Sequence, residues 1–143
     1  MSEINKYLSV TTLRLIDAQI KAAPGTMIEL VPTPGANKVI IPLNVHLHLK
    51  SAGGYTNFDV LASMALQRGT AGGQIFTLDT FDSLLGSATD LTANMIQQPV
   101  LDAPTDITNK PLNLAIVNAA GAFTGGAAAN ILWITVTYWV KHV

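Results

Sequence analysis

The chain has 143 residues and a formal net charge of −1; 49% of its residues are hydrophobic and only 12% are charged. That length suits one domain with one core. A typical soluble domain carries about 25% charged residues, so much of this surface is expected to be covered by other subunits. The lack of a basic cluster argues against nucleic acid as a partner. The absence of cysteine excludes disulfides and thiolate metal sites, and fits folding in a reducing cytoplasm.

The opening, MSEINKYLSV, places Glu3 early and has no apolar core, so residues 1–10 read as a flexible arm and not as a signal peptide. Residues 11–143 read as a single β-sandwich domain. In Thr11–Ile16, Leu13 and Leu15 share one side and Thr12 and Arg14 the other, a short strand. Asp17 is placed to cap a helical turn over Ala18–Ala22, which Pro24-Gly25 ends. Met27–Val31 is the next predicted strand. VPTPGAN turns the chain, so strands 27–31 and 38–50 are expected to be neighbours.

Lys38–Lys50, KVIIPLNVHLHLK, is apolar at every odd position; all even positions but Ile40 are polar or proline. This alternation predicts one long strand with a dry face, which needs a second sheet to cover it. Phe58–Gln67 alternates in the same way and is predicted as a strand, as are Gln74–Leu78, Thr89–Gln97 and Pro111–Asn118. One helical turn is predicted within Asp79–Ser87, carrying Leu84 and Leu85. Residues 99–110 read as the longest irregular connection. The final run, ILWITVTYWVKHV, puts Leu132, Ile134, Val136, Tyr138 and Val140 on one face, and Ile131, Trp133, Thr135, Thr137 and Trp139 on the other. Its Val, Ile, Thr and aromatic residues suit a pleated surface.

No charge stands between Pro111 and Val140, but asparagines and glycines interrupt that stretch. Its unbroken apolar part is about ten residues, half the length of a spanning helix, so no membrane span is expected. Seven or eight strands with almost no helix predict an all-β, antiparallel two-sheet β-sandwich with at most one or two single-turn helices. A jelly roll fits best; an immunoglobulin-like sandwich is the alternative and lacks its cysteine pair.

The chemistry-bearing residues predict neither catalysis nor a cofactor. His46 and His48 share a strand face roughly 7 Å apart, as a metal pair could. The cupin pattern that would complete the pair, a nearby Glu and a later His, is missing, so both are expected on the outward face with no metal. The glycine pairs 53–54, 72–73 and 125–126 lack the lysine and helix of a phosphate loop and read as turns. Asp79, Asp82 and Asp90 read as caps and turn residues, lacking the spacing of a calcium loop. No His–acid pair stands near a serine or threonine, so the protein is expected not to be an enzyme. Trp133 and Trp139 lie on the face opposite Leu132, Ile134 and Val136; they either pack under a second layer or, if that face is the outer one, are candidates for a contact surface.

Three stretches, VPTPGANKVIIPL, PLNLAIVNAAGAFTGGAAAN and ILWITVTYWV, give the chain from about residue 10 to 140 a resemblance to small virion proteins of tailed bacteriophages. The resemblance implies a β-sandwich bound to the major capsid protein as a decoration, or cement, protein of the virion, assembled in the host cytoplasm. It also allows a head-fibre or tail-associated receptor-binding module. Such proteins are commonly homo-oligomers, most often trimers. The interface candidates are then Trp133, Trp139, His46 and His48, with Phe123 in the loop before the last strand.

Overall fold

A computed structural model describes residues 8–70, 73–100, 102, 107–119 and 121–143. Among these the strands are β1 (Leu8–Ile16), β2 (Ile28–Val31), β3 (Lys38–Lys50), β4 (Tyr55–Thr56), β5 (Ser63–Arg68) and β6 (Gln74–Leu78). They continue as β7 (Leu91–Asn94), β8 (Ile96–Gln97), β9 (Leu112–Val117), β10 (Thr124–Gly125) and β11 (Ile131–His142). Two helices of about one turn, α1 (Asp17–Ala22) and α2 (Phe81–Leu85), join them.

The strands form two facing sheets and a two-stranded corner. Sheet I runs β1-β11-β3-β7, sheet II runs β2-β9-β5-β6-β8, and β10 pairs with β4. Every ladder is antiparallel. Leaving aside the short β4, β8 and β10, the chain order of the strands is 1-8-3-6 in sheet I and 2-7-4-5 in sheet II. That is the double Greek key of a jelly roll. The core lies between the sheets, with Leu15, Val45, Leu47, Leu49, Leu132, Ile134 and Val136 of sheet I facing Leu30, Met64, Leu66, Phe76, Leu112, Leu114 and Ile116 of sheet II.

Several local expectations are corrected. β1 begins at Leu8, so the last three residues of the expected arm are strand, paired with Trp139, Tyr138 and Thr137; residues 1–7 lie outside the described residues. Asp17 is the first helical residue and not the cap: Ile16 is the N-cap, and its backbone N–H donates to Gln19 Oε1 at 3.0 Å. β2 does not neighbour β3. It pairs with β9 in sheet II, and the connection after it crosses to sheet I. Opposite sheets let the apolar sides of the two strands pack on each other, whereas a hairpin would turn both the same way.

The strand expected over Phe58–Gln67 starts at Ser63 and extends to Arg68. Asn57 has a φ of 69°, and Asp59 Oδ1 accepts the Leu61 N–H at 2.9 Å, so a side chain competes with the ladder and makes a turn. The single strand expected over Thr89–Gln97 is two: β7 belongs to sheet I and β8 to sheet II, with Met95 buried where the chain crosses.

The parity of β3 also changes along its length. From Asn44 to Lys50 the odd residues are buried, as expected, but Pro42 and Ile40 are buried nearer the start while Leu43 is exposed. Thr137 pairs with Asn44 and Tyr138 with Pro42, so Leu43 is the extra residue of a β-bulge. A bulge is also one of the few places within a sheet that accept a proline.

Candidate interaction surface

The two sheets differ in what they show to the outside. On sheet II the outward Ala65, Gln67, Thr77 and Asn113 are buried by the chain itself. Gln67 and Asn113 donate to Gly69 O, and Gln98 donates to Thr77 Oγ1. These polar groups are covered and paired, while Glu29 beside Asn113 and Ile96 beside Thr77, at the two edges of the sheet, are exposed.

The outer face of sheet I is open. Registers place Leu8, Val10, Thr12, Arg14 and Ile16 of β1 beside Trp139, Thr137, Thr135, Trp133 and Ile131 of β11, in that order. On the other side of β11 lie Ile41, Asn44, His46, His48 and Lys50 of β3. Val10 is 62% exposed, Ile16 45%, Leu43 41% and Leu8 40%. Arg14 and Lys50 stand at one end and Lys141 at the other; between them these rows carry no lysine, arginine or carboxylate. Strand parity is the local cause: each of these residues is one position from a core residue and so points the opposite way.

The sequence-predicted contact residues divide. Trp133, His46 and His48 share this face. The rings of Trp133 and His48 are 5.3 Å apart, and His46 Nδ1 lies 3.0 Å from Asn94 Oδ1, which accepts its proton. Trp139 stands between Leu8 and Ile41, its indole N–H buried without an acceptor among the described residues. Phe123 is the exception. It is 3% exposed and packs against the rings of Phe58 and Phe81, closing one end of the core, so it is not a surface contact. The loop is reeled inward because a phenyl ring gains more from the core than from water.

Sequence reading missed the residues that anchor this loop end. Asn130 is fully buried; its Oδ1 accepts from Ala52 N–H and its Nδ2 donates to Gly53 O, each at 2.7 Å. It thereby ties the start of β11 to the end of β3. Tyr55 is 1% exposed, and its hydroxyl donates to Asp17 Oδ1 at 2.8 Å. Burial, the hydrogen bond to Asp17 and that carboxylate's charge push the Tyr55 phenol up to about 12. Burial alone would raise the Asp17 carboxyl, but hydrogen bonds from Lys21 and Tyr55 and the Lys21 charge hold it below its ordinary value. The only sequence signal was an asparagine ending a run of small residues. Beside this anchor, the Asp59 turn holds Val60 97% exposed and Leu61 76% exposed.

There are also two concavities, the second of which adjoins the outer face of sheet I at Ile41 and Lys141. One of about 540 Å³ is lined by Gln74, Thr77, Asp79, Gln98 and Asp102 among others, and one of about 360 Å³ by Val39, Ile41, Arg68, Ile107, Lys141 and Val143 among others. In the second, Arg68 Nε donates to Ile40 O at 3.0 Å; burial lowers the guanidinium pKa, and the charge of Asp102 opposes that shift. Among the described residues no three His, Cys, Asp or Glu side chains gather as metal ligands, and no helix is long and apolar enough to cross a membrane.

No protein-family model matches the chain, and no curated protein matches it in sequence. Among solved structures it is similar to a chain of the cyanophage Pam1 capsid asymmetric unit, with a TM-score of 0.46 at 16% identity over 92% of this chain and 82% of that one. It is also similar to a chain of mud crab tombus-like virus, with a TM-score of 0.27 at 11% identity over 96% of this chain and 78% of that one.

Proposed function

We propose that the protein is a structural component of a virus particle, a decoration protein of a tailed bacteriophage that bridges neighbouring capsomers of the major capsid protein. The observation that carries this reading is the outer face of sheet I, an apolar, threonine-rich surface with its charges confined to the ends. The resemblance of three sequence stretches to tailed-phage virion proteins supports it. Its action is mechanical. Close contact over such a face removes few charges from water, so little desolvation offsets the gain. A specific contact of about 1,600 Å², repeated on the shell and held by more than one copy at a time, multiplies modest affinities. The test compares genome release on heating for particles with and without the protein. Particles that carry it should release at higher temperature; equal temperatures would remove the cement role.

A second reading, a head-fibre or tail-associated module that touches a host receptor, draws on a different observation, the exposed Val60-Leu61 tip. Imaging of the intact particle separates the two: many copies spread over the shell fit the first, a few copies at a vertex or tail the second.

A further inference from the structure

Two open sheets have four edges, and three of them here are short: β7 and β2 have four residues each and β8 has two. Short edges offer few free ladder groups and so resist association. β1 is different. It has nine residues, LSVTTLRLI, with no proline, glycine or lysine to guard them, and among the described residues it pairs only with β11. Its free donors can be assigned from Ile16, whose N–H is taken by Gln19 Oε1. Residues two apart in a strand aim their N–H groups to the same side, so Leu8, Val10, Thr12 and Arg14 direct theirs to the open edge.

We propose that this edge pairs antiparallel with β1 of a second copy about Thr12, joining the two sheets I into one continuous sheet. In that register Thr12 meets the partner's Thr12, Val10 meets the partner's Arg14, and Leu8 meets the partner's Ile16. Arg14 is the one charged residue of the strand. The two arginines stand four positions apart along the ladder, roughly 13 Å at the strand rise, beyond the ~8 Å screening length of physiological salt. Thr12 already shares a 3.0 Å hydrogen bond with Thr135, so the pairing continues a threonine row across the two-fold axis, a favourable cross-strand arrangement. The exposed apolar side chains at 8, 10 and 16 gain apolar or long-chain neighbours. These features make a second β1 the fitting occupant. The contact is isologous and closes at two copies, so it gives a dimer where the resemblance implies a trimer. It stands without the virion reading; if that reading holds, the joined sheet presents two copies of the Trp133–Trp139 face side by side.

Native mass spectrometry and amide hydrogen exchange of the full chain test it. Val10→Lys sets a cation beside the partner's Arg14 at an exposed position, and Thr12→Pro removes an edge donor that the ladder with β11 does not use. The wild type should be a dimer. Both variants should keep its β circular dichroism while dissociating about tenfold or more easily, and Trp133→Ser should remain dimeric. In the wild type, the Val10 and Thr12 amides should exchange more slowly as protein concentration rises, a readout that decides the matter even if a variant fails to fold. A monomer at every concentration, a dimer that survives both edge variants, a dimer lost only with Trp133→Ser, or concentration-independent exchange at Val10 and Thr12 would each overturn the proposal.

Discussion

Asn130 shows how much one side chain can hold in place. Its amide satisfies one backbone donor and one backbone acceptor in a turn it does not belong to. Asn130→Ala would remove both hydrogen bonds from this part-buried turn, at about 0.5–1.5 kcal/mol each. A loss of about 1–3 kcal/mol in urea unfolding is expected, with the β spectrum unchanged before the transition. Tyr55 and Asp17 predict a pH dependence. Tyr55 has a folded pKa of about 12 against an ordinary 10.0, so above pH 10 the unfolded chain gives up its phenolic proton first. Stability from this group is therefore complete below pH 10 and falls as pH rises toward 12. Asp17 works in the opposite sense: its carboxyl is held below 3.8, so its contribution is present above that pH and is lost as pH falls further. In Tyr55→Phe the alkaline loss should disappear, which unfolding measured across that pH range checks. Gly126, at a φ of 71°, lies where an added Cβ would run into the Tyr55 ring, so Gly126→Ala should destabilise the same corner in a thermal melt.

At the scale of the element, β3 and β11 carry the sheet. Val45 is fully buried, and Val45→Asp should prevent folding, because an unpaired buried carboxylate costs several kcal/mol or must neutralise. Asn44→Asp should be tolerated. The bulge adds a sharper test. Leu43 shares Val45's parity but is 41% exposed, so Leu43→Asp should shift stability by only about 0.5 kcal/mol. Equal thermal shifts for Val45→Asp and Leu43→Asp would mean that the bulge is misplaced. Alternation made β3, β9 and β11 legible, because a strand with one face on the core repeats every second residue. Over residues 58–62 the same alternation misled, since Asp59 supplies its own acceptor to the backbone and ends the strand before it starts.

For the whole molecule, the expectation is a division between fold and assembly. Circular dichroism should be dominated by β structure, with helix well below about a quarter of residues, since among the described residues helix is confined to α1, α2, the turn at Ala23–Gly25 and Ile107. Trp139 and Trp133 lie on the face away from the core, and a tryptophan side chain can remove about 150–250 Å² from water. Trp139→Ser should therefore weaken attachment to the particle more than it lowers the melting temperature of the free protein. Binding to particles stripped of the protein, set beside the melt, measures both.

The amino-acid sequence by itself determined the all-β class, the long strands and how the last strand divides its side chains between two faces, because these follow from contacts a residue makes with its neighbours along the chain; burial in the tertiary structure showed which of those faces meets the core. Strand alternation also placed His46 and His48 on the outer face, one position away from buried aliphatics. Only the tertiary structure decided which sheet each strand joined, that β2 parts from β3, that the strand expected over Thr89–Gln97 divides at Met95 between two sheets, and that Leu43 bulges. It alone drew Phe123 into an aromatic cluster with Phe58 and Phe81 and set Asn130 against Ala52 and Gly53. The physical reason is the same in each case. Sheet membership and buried polar pairing depend on partners many residues away, and a local pattern of apolar and polar residues is compatible with several such partners until packing selects one.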